Sequence, residues 1–239
     1  MAYLEVRNIS KRFGGLKALS DVDMSVEKGE IFGLMGANGA GKTTLFSVIA
    51  GHVAPSAGEV HFNGQRITGL SPSRICRAGI CRTFQIVRPF AGLSVEENVR
   101  VAALFGSGRK RTRVEQARSV DAALESVGLS GHRAGLAGGL TLSGQKRLEI
   151  ARALATGAEL VMLDEVMAGL NPTEIAEMLE TLGRLRREHG LTFVIVEHVI
   201  GALMSLSDRI LVLHHGERIA FGTPEEIGAN AHVEEVYFG

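Results

Sequence analysis

The sequence has no tryptophan, only two cysteines and no excess of charge of either sign. Lysine plus arginine and aspartate plus glutamate stand at 26 each, so no whole-chain basic signal points to nucleic acid. Cys76 and Cys81 lie close together in "RICRAGICRTF". They leave open one disulfide or a pair of reduced intracellular thiols, and no Cys or His cluster joins them to make a metal site. No stretch approaches the ~18 uninterrupted apolar residues of a membrane span. The nearest candidate, "LTFVIVEHVIGALMSL", carries Glu197 and His198 in its middle. The opening "MAYLEVRNISKRFGG" has no basic-then-apolar signal segment. These absences predict a soluble chain whose membrane role, if any, runs through partners.

What is present suits a large core: 239 residues, 45% of them hydrophobic, form one large domain or a domain with a lobe. The 30 glycines favour many tight turns or a ligand site lined by backbone. Strand-like and helix-like segments alternate along the chain. "LEVRNIS" (4–10), "DVDMSVE" (21–27) and "EIFGLMG" (30–36) read as strands, and "GKTTLFSVIAG" (41–51) as a helix closed by Gly51. "GEVHFNG" (58–64) is a short strand ending in an Asn-Gly turn, and "SPSRICRAG" (71–79) a Ser-capped helix. The middle, about 91–157, reads as a helical lobe, broken by "FGSGRKRTR" (105–113), a mobile solvated loop. Then come an apolar run into two acids, "AELVMLDE" (158–165), and a helix from Pro172 to Gly190. A buried strand, "LTFVIVEH", and a hairpin, "DRILVLHHGERIAFG", complete the pattern. Strands buried on both faces and alternating with helices predict a parallel-sheet α/β core over 1–90 and 158–239.

The sharpest motif is "GANGAGKTT", Gly36 to Thr44, which matches G-x-x-x-x-G-K-[ST]. It follows a predicted strand and opens a predicted helix, the context that separates a phosphate loop from an ordinary glycine-rich turn. Gly36, Gly39 and Gly41 let the segment through Ala37, Asn38 and Ala40 curl so that its N–H groups face a polyphosphate. Lys42 then reaches the β- and γ-phosphates, the Thr43 hydroxyl suits Mg²⁺, and Thr44 continues the helix start. "LVMLDE" delivers Asp164 and Glu165 at a strand's C-terminal edge, where α/β ligands bind. Asp164 suits Mg²⁺ and Glu165 a general base for water. Alone, two acids after a strand read equally well as a solvated turn; beside a phosphate loop the functional reading prevails. Gln85 in "RTFQ" ends a predicted strand and suits Mg²⁺ and the water, and His198 in "VIVEH" suits a γ-phosphate. Alone, each is as readily a structural residue.

The order of these motifs, with a Ser-Gly turn before "RLEIARAL" and "AGLNP" after the acids, resembles that of ABC ATPases over essentially the whole chain. "RTFQIVRPFAGLSVEENV", "AGLNPTE", "EHVIGALMSLSDRILVLHHGERIAFGTPEEI" and the terminal "VYFG" resemble the ATP-binding subunits of hydrophobic (branched-chain) amino acid importers. The resemblance implies a P-loop core with a parallel sheet, an N-terminal antiparallel β subdomain and an inserted helical lobe. It implies that Phe13 stacks on adenine, and that Lys42, Thr43, Gln85, Asp164, Glu165 and His198 serve phosphate, metal, water and γ-phosphate. It also implies a head-to-tail pair of ATPases, each ATP lying between one subunit's phosphate loop and the other's signature turn. The further partners would be two permease subunits and an extracytoplasmic solute-binding protein. The chain would sit at the cytoplasmic face of the membrane, peripheral through the permeases.

Two motifs depart from the family pattern. The usual signature L-S-G-G-Q is matched in "LTLSGQKR" either with a one-residue deletion, as Leu142-Ser143-Gly144-Gln145, or without a gap. In the ungapped match Leu140 and Thr141 take the Leu-Ser places and Ser143 replaces a glycine, which keeps the helix phase. One glycine is missing either way, so the backbone's approach to a phosphate is looser. In "LDEVMAGLN", Val166 and Met167 stand where the family has Pro-Thr, and Asn171 where it has Asp. The competing functions are another cargo for the same engine, such as urea or amide uptake or lipopolysaccharide export, and a non-catalytic ATP-dependent clamp. The intact Lys42, Asp164, Glu165 and His198 weigh against the clamp.

Overall fold

The computed structural model describes residues 2–83, 87–106 and 112–238. β1 (Leu4–Phe13) and β2 (Leu16–Val26) pair antiparallel around Gly14-Gly15, and β3 (Ile31–Gly36) leads through the glycine-rich loop into α1 (Lys42–Ile49). β4 (Ala57–Phe62) and β5 (Gln65–Arg66) make a hairpin, followed by α2 (Pro72–Ala78) and β6 (Ile80–Arg82). The helices α3 (Val95–Phe105), α4 (Arg113–Ser126) and α5 (Leu142–Ala155) fill the middle and pack on one another. Then come β7 (Leu160–Asp164), α6 (Pro172–His189), β8 (Thr192–Val196) and α7 (Ile200–Leu206). β9 (Arg209–His214), β10 (Glu217–Gly222), α8 (Pro224–Gly228) and α9 (Ala231–Phe238) complete the chain.

The strands form two sheets. One has the order β2-β1-β4-β5 and is antiparallel; the other runs β10-β9-β3-β8-β7-β6, parallel except for β10. Side chains alternate across a strand, so each central strand feeds two cores. Ile31, Val161, Phe193, Ile195 and Val212 face the core shared with α3, α4, α5 and α6. Phe32, Leu34, Met162, Val194 and Leu211 face the core closed by the antiparallel sheet and by Leu45, Phe46 and Ile49 of α1. Burial on both faces explains why these strands read as continuous apolar runs. Because they are parallel, their C-terminal ends open on one edge, where the loops after β3, β7 and β8 emerge.

Most turn chemistry is as the sequence predicts. Asn63 and Gly64 both take positive φ (48° and 75°), which suits a tight hairpin turn. Pro172 opens α6 behind an Asn171–Glu174 capping box, and Gly190 ends it at φ 62°. Four expectations are corrected. Ser71 occupies the N-cap of α2 without a cap bond; its hydroxyl meets Ser73 at 3.2 Å. β2 starts at Leu16 rather than 21, because Leu16 and Lys17 are exposed and Leu19 is the one fully buried side chain among its first five residues, which leaves no apolar alternation to read. The strand before Gln85 stops at Arg82, and Gln85 itself lies outside the described residues. In the loop expected over 105–113, Phe105 and Arg113 belong to α3 and α4, and 107–111 lie outside the described residues. Cys76 and Cys81 are free thiols.

Leu163, fully buried beside Asp164 in β7, tests whether the acids depend on this packing. Leu163→Ala should lower stability by about 2–5 kcal/mol. The denaturation midpoint should fall while the slope of the unfolding curve stays the same.

Candidate active site

The phosphate loop needs its glycines for two different reasons. Gly39 and Gly41 take φ of 81° and 105°, a region that side chains rarely enter. Gly36 and Gly41 are also hemmed in: a Cβ on Gly36 would stand 2.7 Å from the Leu213 carbonyl oxygen, and one on Gly41 2.8 Å from that of Ala18. The loop thus lies directly on β2 and β9 and is pinned further by the Gly216 N–H, which donates to the Ala40 carbonyl at 3.0 Å. Lys42 is almost wholly buried, and its Nζ donates to the carbonyls of Gly36 (2.5 Å) and Ala37 (3.0 Å). Burial lowers its pKa, opposed by the charges of Glu165 and Asp164. Its ammonium is turned back on the loop that a phosphate would occupy.

Asp164 ends β7 and is 4% exposed. A carboxylate there needs a partner, and it has one that the motifs do not single out. Arg82, at the end of β6, donates from Nη2 to Asp164 Oδ2 at 2.7 Å and from Nη1 to Ser47 Oγ at 3.0 Å. The Ser47 hydroxyl in turn donates to the Thr43 carbonyl at 2.7 Å. Arg82 also packs near the ring of Phe46, 5.6 Å from its centroid. One guanidinium therefore joins the strand of the acids to the helix of the phosphate loop. An apolar strand ending in Arg two residues before a Phe-Gln pair was the available signal; its partners lie far along the chain and have no spacing to reveal them.

Glu165 has φ 54°, uncommon for a residue with a side chain. Its N–H donates to the Val196 carbonyl at 2.9 Å, and Lys146 Nζ donates to its carbonyl at 2.8 Å. Its Oε1 lies 2.7 Å from His198 Nε2. These contacts hold the left-handed conformation and aim the carboxylate out of the strand end. Lys146 is buried, which lowers its pKa against the pull of Glu197 and Glu165, and it comes from α5, just after the Ser-Gly turn. Glu197 is a second residue that sequence reasoning missed. It is 3% exposed, burial raises its pKa, and its Oε1 accepts from the Met167 N–H at 2.7 Å. It shapes the turn where Val166 and Met167, both buried, replace the family's Pro-Thr.

One cavity of about 770 Å³ gathers much of the predicted set. Asn38 to Thr44, Glu165 and His198 line it, together with Phe13, 48% exposed at the tip of the first hairpin. Gly36, Ala37 and Asp164 do not line it; Lys42 engages the carbonyls of the first two, and Arg82 the carboxylate of the third. The residues 141–145 do not line it. There Thr141 caps α5, its hydroxyl accepting the Gly144 N–H at 3.2 Å, and Gln145 Nε2 donates to the Leu140 carbonyl at 3.0 Å. Leu142 is exposed and Ser143 buried, so the hydroxyl presented at the helix start is that of Thr141, as in the ungapped alignment. Asn171, in the place of the family's Asp, spends its Oδ1 on the Glu174 N–H at 3.0 Å.

A phosphate loop and an acid–histidine pair on one edge of a parallel sheet, with an antiparallel sheet and a helical layer around it, define a P-loop ATPase cassette. The profile of the family described as "ABC transporter" matches residues 19–168, and the chain belongs to that family. It is an ATPase. Along its length it is similar to the "high-affinity branched-chain amino acid transport ATP-binding protein LivG" of Salmonella typhimurium, with 41% identity over 99% of this chain and 97% of the relative. BraF of Pseudomonas aeruginosa, with the same description, is 39% identical over 99% of this chain and 97% of its own. Among solved structures, an ATP-binding cassette of an ABC transporter in its ADP conformation superposes with a TM-score of 0.91. That pair shares 31% identity over 100% of this chain and 99% of the other.

Arg82→Ala would leave the Asp164 carboxylate buried without its cation. It should cost about 3–5 kcal/mol in denaturant unfolding. Arg82→Lys should recover only part of this, because one ammonium lacks the planar fork that spans Asp164 and Ser47.

Proposed function

We propose that this chain is the ATP-binding and ATP-hydrolysing subunit of an importer for branched-chain or other hydrophobic amino acids. The observation that carries the reading is the convergence of Lys42, Glu165 and His198 on one cavity walled by the phosphate loop. The cargo follows from the two relatives named above, whose printed function is branched-chain amino acid transport. The chain works at the cytoplasmic face of the membrane, held there by two permease subunits, with an extracytoplasmic binding protein delivering the solute.

ATP enters with its adenine against Phe13 and its phosphates against the N–H groups of the loop. Lys42 leaves the carbonyls of Gly36 and Ala37 for the β- and γ-phosphate oxygens. The residues fit Mg²⁺: the Thr43 hydroxyl and the Asp164 carboxylate are hard oxygen donors on adjoining elements, and Gln85 is the expected third. When bound, the ion neutralises phosphate charge. Glu165 takes a proton from the attacking water, and His198, whose Nε2 lies 2.7 Å from its Oε1, holds that carboxylate in place beside the γ-phosphate. The signature residues Thr141, Leu142, Ser143, Gly144 and Gln145 serve the ATP of a second ATPase subunit, identical or related. Their absence from the cavity of their own chain supports this pairing, with Thr141 as the presented hydroxyl. ATP closes the pair and hydrolysis reopens it.

The permease docks beside "RPF". There Phe90 is fixed by Asn98, whose Oδ1 accepts the Phe90 N–H at 2.8 Å and whose Nδ2 donates to its carbonyl at 3.1 Å. Phe90 and Phe105 (77% exposed) rim an apolar groove of about 340 Å³ that runs down to Arg82 and Thr83, the residues leading to Gln85. Large exposed aromatics at a groove mark an interaction surface.

Glu165→Gln should slow hydrolysis by about 10²–10⁴-fold. It should also accumulate an ATP-bound dimer on sizing; a variant that stays monomeric under saturating Mg-ATP would overturn the clamp. Phe105→Asp should weaken assembly with the permease subunits by at least roughly tenfold. ATP-dependent thermal stabilisation of the isolated chain should stay as in the wild type.

A further inference from the structure

The wall of the docking groove holds a feature the ATPase reading leaves unused. Cys76 on α2 and Cys81 on β6 both line the groove, and their thiols hydrogen-bond to each other. Gly79, at φ 111°, turns the chain from the helix back into the strand and so brings the two sulfurs together. Thr156, just after α5, closes the corner. Its hydroxyl hydrogen-bonds both thiols and also contacts the Ala153 carbonyl (2.6 Å) and the Ala158 N–H (3.2 Å). The charged groups around the pair are Arg77 on α2, Arg82 on β6, and Glu149 and Arg152 on α5.

We propose that Cys76 and Cys81 form a dithiol site for low-molecular-weight disulfides such as oxidised glutathione, with Cys76 attacking and Cys81 resolving. The Cys76 thiolate attacks one sulfur of the reagent; that S–S bond breaks and one glutathione thiolate leaves. Cys81 gives up its proton and its sulfur attacks Cys76, forming the protein disulfide and releasing the second glutathione. Two protein thiols thereby lose two electrons and two protons, and the reagent takes up both to become two thiols. The division of labour follows from the shared hydrogen bond. Cys76, accepting from Cys81 and helped by Thr156 and Arg77, is pulled down to about 7 in spite of its burial. Cys81, the donor of that bond and the more enclosed sulfur, is pushed up. The pair loses one proton near neutrality and keeps the other for the second step. This chemistry is independent of the cargo and of the ATP site.

The test is treatment of the reduced, full-length chain with oxidised glutathione at pH 7, followed by intact mass and a thiol count. The wild type should lose both thiols and retain no glutathione. Cys81→Ser should retain one glutathione, on Cys76. Cys76→Ser should react at least about fivefold more slowly than Cys81→Ser, since burial alone still disfavours the thiolate of its remaining, more enclosed sulfur and limits the reagent's approach. A wild type that keeps both thiols, or that ends with a stable glutathione adduct, overturns the proposal without recourse to either variant. Equal rates for the two variants would overturn the assignment of Cys76 as attacker.

Discussion

A carboxylate at the end of a strand buried on both faces is a liability unless a cation meets it, and the meeting of Arg82 with Asp164 organises much of what surrounds it. The guanidinium arrives from the edge strand β6, so the segment that continues toward Gln85 starts from a fixed point. Its second donor holds Ser47, which holds the Thr43 carbonyl, so the phosphate-loop helix is tied to the same point. Breaking such a pair strands a charge. The three elements are therefore tied through one guanidinium, and the acid proposed to hold the metal is placed by contacts within the chain.

Glu165 extends this logic from side chain to backbone. Its left-handed conformation is held by Val196 on one side and Lys146 on the other, while His198 takes the carboxylate. Lys146 stands on the helix whose first turn carries the Ser-Gly sequence, so that turn is tied to Glu165, the proposed base, within one chain. Glu197, buried beneath the turn at Val166 and Met167, secures the stretch between the acid and α6.

The parts of this arrangement that could be read from sequence are those whose chemistry is local. The glycine-rich loop, the two acids after an apolar run, the Asn63-Gly64 turn and the Pro172-to-Gly190 helix each declare themselves within a few residues. Arg82 and Glu197 do not, because their partners lie far along the chain and long-range pairing leaves no periodicity. Side-chain direction was equally hidden: nothing in "LTLSGQ" tells that Ser143 turns inward while Thr141 presents its hydroxyl. The first half of β2 escaped for a related reason, since Leu16 and Lys17 face water and the single buried Leu19 makes no apolar alternation with its neighbours.

With the role proposed for Lys42, its bonds to the carbonyls of Gly36 and Ala37 would make nucleotide capture an exchange reaction. An incoming anion must return to the ammonium as many hydrogen bonds as the loop already supplies. A single small anion returns roughly what it displaces, whereas a run of linked phosphates engages the lysine and the loop's N–H groups together. On that proposed role, the lysine's bonds to its own loop would favour a ligand with several linked phosphates over a single small anion.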